Sequence, residues 1–471
     1  MIVWLIAIAL ITFSAWIYLT PPDVDPYIVL HQASLSPTRN PGETAVARSL
    51  ANPWGTPLTA SKLKFNISNI WDEPLDVSVA SGPIISTTNV DLHKLASDYA
   101  ASLRALSVNG NRVVCAIPEG PKCLAILFAS ALAGQTVYFC PPSELQSAIH
   151  ALKPGTVIIE ARADISQLDS KGGILVCLED SKEILPLSSV KGGTAPESPS
   201  DDMDNLFGYW DGNKIYEYSQ DDVGKAIAAQ MVSLSSTERW SSRDNVLNFG
   251  LYPSPYSMVM NLVALSCKCK LTFVDHAFTD PFSVITKVAP TILFTDDLTL
   301  RSLCRFTDDF RLLGWIQLQY RYLRLRKGCI VSPLLHQFRS IRMLYTCTVL
   351  SERHGSLTCL EARTARALLG AQVIHSLVVP QVLSPITQTT YGDYRLRDST
   401  LINYGPPLPG IELKVQYTNE EKRFGEIWIR RAGEWENTNL EGYLLKDGCL
   451  YMDAPEPDEI DMYTEDLRNL H

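Results

Sequence analysis

Short apolar strands alternating with helix-length segments constrain this chain more than any other feature. From Asp91 onward, Leu92, Leu95, Ala96, Tyr99, Ala100 and Leu103 recur at helical spacing and give one apolar face. Asn109-Gly110-Asn111 marks a turn, and Arg112-Val113-Val114-Cys115-Ala116-Ile117 follows as a strand. A helix through Cys123 to Leu132 leads past Gly134 into the strand Thr136-Val137-Tyr138-Phe139. Ser147 to Leu152 is helical in pattern. Val157-Ile158-Ile159 and Gly173-Ile174-Leu175-Val176-Cys177 read as buried strands. This alternation predicts a parallel sheet with helical crossovers. A second alternating region holds Val223 to Leu234 as helix and Lys270-Leu271-Thr272-Phe273-Val274 as strand. Beyond Asp398, Ile411-Glu412-Leu413-Lys414-Val415 and Gly425-Glu426-Ile427-Trp428-Ile429 alternate like antiparallel strands.

The expected fold class is α/β: two stacked α/β subdomains with parallel sheets and a small antiparallel β subdomain, preceded by one N-terminal transmembrane helix. The expected boundaries are 1–20 for the anchor, 21–90 for an N-terminal extension, 91–186 for the first α/β subdomain and 187–205 for a linker. The second α/β subdomain follows over 206–397, the β subdomain over 398–450 and an acidic tail over 451–471. The anchor rests on Met1 to Leu19, which carries no charged side chain and stops at Thr20-Pro21-Pro22. About 19 helical residues reach ~29 Å, close to a hydrocarbon core. No Lys or Arg precedes the run, unlike the start of a cleaved signal peptide, which is the other reading. Arg39 and Arg48 follow the run, so the positive-inside bias places the body in the cytosol; the expected location is the endoplasmic reticulum membrane. Eleven cysteines without regular spacing favour reduced thiols.

Charge argues against a nucleic-acid partner. The formal net charge is −10, of which the segment from Tyr451 to His471 carries −6, and no basic footprint offsets it. There is no Gly-x-Ser-x-Gly elbow for a serine hydrolase. Cys267-Lys268-Cys269 lacks zinc spacing and reads as thiols beside a strand. Tyr391-Gly392-Asp393-Tyr394-Arg395 reads as a pocket wall or a packed loop. The basic cluster Arg321, Arg324, Arg326, Lys327, Arg339 and Arg342 reads as a face for an anionic membrane surface or as a solvated helix face.

Several stretches, in order, resemble the adenylate-forming superfamily and its long-chain acyl-CoA synthetase branch. They are Pro41-Gly42-Glu43-Thr44-Ala45-Val46, the strand 112–117 with Pro118, Ala289-Pro290-Thr291-Ile292-Leu293, and Arg366 to Ile374. The fullest match is Tyr404-Gly405-Pro406-Pro407-Leu408-Pro409-Gly410-Ile411-Glu412-Leu413-Lys414 with Gly425 to Ile429. The resemblance spans roughly Pro41 to Leu450. It implies an acid-thiol ligase that uses ATP, magnesium and CoA. Three family requirements are altered here. The phosphate cradle aligns near Leu206 to Gln230, where Gly212-Asn213-Lys214 fits its second half; Tyr209-Trp210-Asp211 replaces the Ser/Thr/Gly run. Lys214 is then either the phosphate lysine or a surface lysine in a turn. The metal carboxylate aligns with Gln381, a neutral amide. The ribose-binding stretch aligns with Glu441 to Gly448, where Asp447 is either a ribose ligand or part of an Asp-Gly hairpin. The residues after it are too few for the family's lid domain.

The remnants expected to bind nucleotide are thus Gly212, Lys214 and Asp447, with Gln381 at a degenerate metal position and no metal ligand assigned. The expected function is a membrane-anchored, acyl-CoA synthetase-like pseudo-ligase that binds a fatty acid or acyl-CoA or acts as a scaffold. The alternative is an active long-chain fatty acid–CoA ligase with an unconventional ATP site. No protein partner follows from the sequence.

Overall fold

The computed structural model describes the chain apart from residues 1–3, 5–11, 13–14, 16–18, 38, 56–57, 59–65, 83–84, 107–109, 161–173, 178–184, 187–204, 276–280, 306–311, 350–356, 358, 394–400, 432 and 454–471. Most of the expected anchor, linker and acidic tail, and Tyr394-Arg395, lie outside the described residues.

Three sheets organise the rest. The first has seven strands in the order Ile215–Tyr218, Phe207–Trp210, Thr136–Phe139, Arg112–Ala116, Thr156–Ile159, Ile174–Cys177, Leu185–Pro186. All its pairings are parallel except the hairpin formed by its first two strands. The second has eight strands in the order Thr387–Gln388, Gln372–Val378, Met343–Val349, Ile292–Asp296, Asn245–Asn248, Lys270–Val274, Val77–Ser81, Ser86–Val90, and antiparallel strands cap both edges. The third is antiparallel: Ala33–Leu35, Ala47–Ser49, Glu412–Asn419, Phe424–Arg430, Glu436–Leu444, Leu450–Asp453, Leu401–Gly405. The architecture is a mixed α/β fold with parallel and antiparallel sheets.

Local chemistry explains the elements that position the site. Helix Leu92–Leu106 buries Leu92, Ala96, Tyr99, Ala100 and Leu103, the face that the spacing marks. It packs on helix Pro121–Ala133, in which eleven of thirteen side chains are buried, so this helix lies inside the body and shows no polar face. Each fully buried Leu or Phe there contributes roughly 1.5–3 kcal/mol by removal from water. Helices Gln220–Val232 and Pro255–Ser266 both begin with capping boxes, Ser219 with Asp222 and Ser254 with Ser257. In the third sheet, strand Phe424–Arg430 turns Gly425, Ile427 and Ile429 inward against Leu413 and Val415. The Gly405–Gly410 turn seals this sheet to the second one: Gln388 N donates to Pro406 O (3.1 Å) and Leu408 N to Ile386 O (3.2 Å).

The expected single-pass placement in the endoplasmic reticulum membrane, with its N-terminal transmembrane helix, is corrected by the structure. Among the described residues no helix is long and apolar enough to cross a membrane. Helices Leu92–Leu106 and Leu312–Arg326 each have 15 residues. At 1.5 Å per residue that is about 23 Å, short of the ~30 Å hydrocarbon core.

Candidate functional site

The stretch aligned with the phosphate cradle folds as a closed hairpin. Phe207–Trp210 pairs with Ile215–Tyr218, leaving Asp211-Gly212-Asn213-Lys214 as the turn. Gly212 takes φ +95°, a conformation that favours glycine, and a Cβ there would come within 3.2 Å of the Glu144 carboxylate. Asp211 Oδ1 accepts from Asn213 N at 2.8 Å and from Lys214 N at 2.7 Å. The two tip amides that would face an anion are thus held by the chain's own carboxylate. Tyr209 and Trp210 turn into the core, and the Trp210 indole N–H donates to Ser147 Oγ at 2.8 Å. The Lys214 side chain is exposed, its ammonium 5.4 Å from the Tyr216 ring centre.

The other end of this hairpin reaches the position aligned with the metal carboxylate. The Tyr218 hydroxyl donates to Pro380 O at 2.7 Å, and burial pushes its pKa well above the ordinary phenol value. Tyr218 lies four residue steps along the strand from Lys214, a rise of roughly 13 Å. Leu377 and Val378 close the buried strand Gln372–Val378, and Val379 and Pro380 follow it into the core. Gln381 then opens onto a cavity of about 260 Å³. Its other polar walls are Asp222, Lys225, Ser384, Arg431 and Glu436. Gly212 and Lys214 do not line it.

This cavity is polar and charge-balanced. Arg431 Nη1 donates to Asp222 Oδ1 (3.1 Å) and Nη2 to Asp222 O (3.1 Å). Burial pulls the Arg431 guanidinium below its ordinary pKa, and the carboxylates of Asp222 and Asp221 oppose that shift. Asp222 also accepts from Ser219 N (3.1 Å) and Ser219 Oγ (2.8 Å) within its capping box. Lys225 pairs with Asp221 one helical turn away. Gln381 Oε1 is buried and accepts no hydrogen bond. A magnesium ion prefers several hard oxygens, usually including carboxylates. Here Gln381 offers a neutral amide and Asp222 is already spent on Ser219 and Arg431. Among the described residues no group of three or more His, Cys, Asp or Glu could hold a metal ion. The residues present do not fit the metal-triphosphate group.

Asp447 lies in the hairpin joining Glu436–Leu444 to Leu450–Asp453. Its Oδ1 accepts from Cys449 N (3.1 Å), its Oδ2 from the Tyr451 hydroxyl (3.0 Å), and its carbonyl from Gln32 N (3.0 Å). Both carboxylate oxygens serve the hairpin, and the edge strand Ala33–Leu35 starts against Gly448. The structure therefore brings Gln381 to Lys225 and Arg431, and keeps Gly212, Lys214 and Asp447 elsewhere.

Two buried polar clusters escape sequence reasoning. In the first sheet, strand Arg112–Ala116 is followed in sequence by a neighbour on one side and then by one on the other. Strand Asn245–Asn248 does the same in the second sheet. The carboxyl ends of such switch-point strands form the crevices of open α/β sheets. The two ends meet at Glu119, whose Oε1 accepts from Asn248 Nδ2 (2.8 Å) and Asn261 Nδ2 (2.7 Å). Glu119 Oε2 accepts nothing, because Ser257 spends its hydroxyl proton on Ser254 O (3.0 Å). Burial raises the Glu119 pKa to about 7. The second cluster joins Asp297 to Thr346, to Thr348 (2.6 Å) and to His375 Nε2 (3.1 Å). Burial pushes the Asp297 pKa up, but His375 and the two threonines outweigh it and hold the carboxyl below its usual range. No sequence signal marks Glu119, which follows the apolar strand beyond Ile117-Pro118.

With this geometry in view, comparison with solved structures is decisive for the fold. The adenylation domain of a keto acid-selecting NRPS module, bound to keto acyl adenylate, matches with a TM-score of 0.63 at 12% identity, covering 86% of this chain and 83% of that one. The chain has the adenylate-forming fold. A long-chain-fatty-acid–CoA ligase from Archaeoglobus fulgidus matches at TM-score 0.60 and 13% identity, over 84% of this chain and 86% of that one. A benzoate CoA ligase from Burkholderia xenovorans matches at 0.59 and 14%, over 85% and 80%. No family model and no curated protein matches the sequence. An adenylate-forming fold at this level of identity fixes the architecture and leaves the chemistry to the site.

Proposed function

We propose that this chain is a pseudo-ligase: it has the adenylate-forming fold but does not form an adenylate. The observation that carries this reading is the Asp211 turn. A phosphate cradle needs free backbone amides around an anion, and Asp211 supplies that anion from within the chain. Gln381 adds the second loss, a carboxylate replaced by an amide. An acyl carboxylate is the ligand class we assign, because the similar structures include ligases of benzoate and of long-chain fatty acids. Within the body, the space bounded by Met231, Leu234, Trp240, Met260 and Tyr345 is about 10 Å³. A long acyl chain enters there only if Met231 and Met260 swing aside, which methionine does more readily than branched side chains.

An active ligase with an unconventional nucleotide site is the second reading. Its support is the pair of cations, Lys225 and Arg431, in the cavity of Gln381. Calorimetry with ATP and magnesium separates the two. The pseudo-ligase reading expects no ATP binding at millimolar protein-saturating concentrations. ATP binding that disappears in Lys225→Ala and Arg431→Ala, and persists in Lys214→Ala, establishes the second reading and removes the first.

A further inference from the structure

Helix Leu312–Arg326 has two apolar faces, and among the described residues only one of them is covered. Leu318, Tyr322 and Leu325 recur at i, i+4 and i+7. Leu318 and Leu325 are buried with Val331 and Ala367, and the Tyr322 hydroxyl lies 2.8 Å from Thr364 Oγ1, so this face packs on helix Cys359–Leu369. At 3.6 residues per turn, Ile316, Tyr320 and Leu323 share the opposite face. Ile316 and Leu323 are 48% and 49% exposed, and Trp315 is 54% exposed. A helix apolar on opposite sides normally has a partner on each. The charge along this segment has one sign. From residue 310 to residue 351 the chain holds seven Arg and Lys and no Asp or Glu. Arg342 is paired with Asp244, and Arg321 donates to the carbonyls of Ser332 and Pro333. Arg326 is exposed at the end of the helix, with Arg324 and Lys327 partly exposed on either side of it in sequence. One carboxylate from elsewhere, Asp23, reaches this turn and accepts from Ile330 N.

We propose that the chain's own acidic segment 454–471 docks on this outer face. Two properties of that segment match it. Residues 454–471 hold six carboxylates against one arginine, opposite in sign to the helix. Ile460, Tyr463, Leu467 and Leu470 recur at i, i+3, i+7 and i+10, the spacing of a single apolar helix face. Apolar contact with Ile316 and Leu323, flanked by carboxylates facing Arg324, Arg326 and Lys327, satisfies both at once. The segment also starts within reach. Asp453 pairs with Leu401, and strand Leu401–Gly405 lies against helix Cys359–Leu369, which in turn packs on helix Leu312–Arg326. With neighbouring layers about 10 Å apart, the face is roughly 20 Å from Asp453. Residues 454–459, fully extended, reach about 20 Å. The apolar run before Thr20 also ends close by, since Asp23 N donates to Gly328 O (3.0 Å). That run has no charged side chain to meet the cations.

The test cross-links the full chain, at high dilution, with a carbodiimide that joins carboxylates directly to lysine amines. Lys327 is the one lysine between residues 310 and 351. The expected product in the monomer band is the tryptic peptide Asp447–Arg468 joined to Lys327–Arg339. Its yield should fall several-fold in the double variant Ile316→Asp, Leu323→Asp and in high salt. A labelled peptide of residues 454–471 supplies the second readout. It should bind a chain ending at Asp453 at least about ten-fold more tightly than the full chain, whose face is already covered. A scrambled peptide of the same composition should bind about ten-fold more weakly, because it keeps the charge and loses the apolar spacing. The proposal is overturned if the tail cross-links only to other lysines, or if full and shortened chains bind the peptide equally. It also falls if deleting residues 1–19, and not 454–471, opens the face to the peptide. Equal binding of both chains to phosphatidylserine vesicles, abolished by Ile316→Asp, would assign the face to lipid instead.

Discussion

Replacing Glu119 by Gln should stabilise the protein at alkaline pH and leave it unchanged at acidic pH. Glu119 lies at the meeting point of the two switch-point strands, held by Asn248 and Asn261 through Oε1. Burial raises its pKa to about 7, from 4.5 for an unperturbed carboxyl. The folded state thus binds this proton more tightly than the unfolded state. Below pH ~4.5 both states hold it, and the carboxyl costs nothing. Between ~4.5 and ~7 the unfolded chain ionises first, so stability falls as pH rises, and above ~7 the loss is complete. The size of the shift corresponds to roughly 3 kcal/mol. Glutamine keeps the acceptor that Asn248 and Asn261 use and has no charge to bury. Its amide also resembles the protonated acid in shape, which matters because Gly250 packs directly against Oε2. For a chain of this length, 3 kcal/mol corresponds to about 3 °C in Tm. Thermal denaturation of wild type and Glu119→Gln at pH 5 and pH 8 measures the difference directly. Equal Tm differences at the two pH values, or a variant less stable at pH 8, would show that Glu119 is ionised and compensated in the native state. The reasoning from its burial would then be wrong.

Three further substitutions test other parts of the account. Gly405→Ala places a Cβ 2.1 Å from Gln388 O at φ +76°, so a loss of at least about 2 kcal/mol is expected in denaturant titrations. A near-neutral result would show that the Pro-rich turn does not seal the second sheet to the third. Arg431→Ala leaves Asp222 with only its capping-box partners. It should cost about 1 kcal/mol, and the cost should shrink in the Asp222→Ala background of a double-mutant cycle, which removes the Oδ1 acceptor and keeps the Asp222 O acceptor. Gln381→Glu restores a carboxylate but leaves the Asp211 turn closed, so adenylate formation should stay at background. Activity gained from that change alone would make the metal position the only lesion.

Sequence and structure agree best where the pattern is periodic and local. The helix carrying Leu92, Ala96, Tyr99 and Leu103 and the strand at 112–116 follow from spacing, because one apolar face admits few alternatives. Helix Pro121–Ala133 was legible as an element but not as a buried one, since its length alone does not tell what covers it. Strands 77–81 and 207–218 show the limit of local reading. Each pairs with a sheet distant in sequence, and no residue in either names its neighbour. The site divides in the same way. The absence of the Ser/Thr/Gly run at 209–211 and the amide at 381 were visible residue by residue. What Asp211 does with its carboxylate was not, because an Asx-type turn depends on where the next amides point. Arg431 and Glu119 were unreadable for a different reason. Their importance comes from topology, which sets Arg431 beside Gln381 and Glu119 at the ends of two strands some 130 residues apart. The apolar start of the chain read as a membrane anchor, yet no helix among the described residues is long and apolar enough to span a membrane.

The central claim is that this protein does not make adenylates, and ATP–pyrophosphate exchange measures that step alone. Purified full chain, with magnesium, ATP, labelled pyrophosphate and a panel of aliphatic, aromatic and amino acids, should give exchange indistinguishable from protein-free controls. Acid-dependent exchange that titrates with the protein, and is lost in Arg431→Ala or Lys225→Ala, would contradict the account and assign catalysis to the cavity beside Gln381.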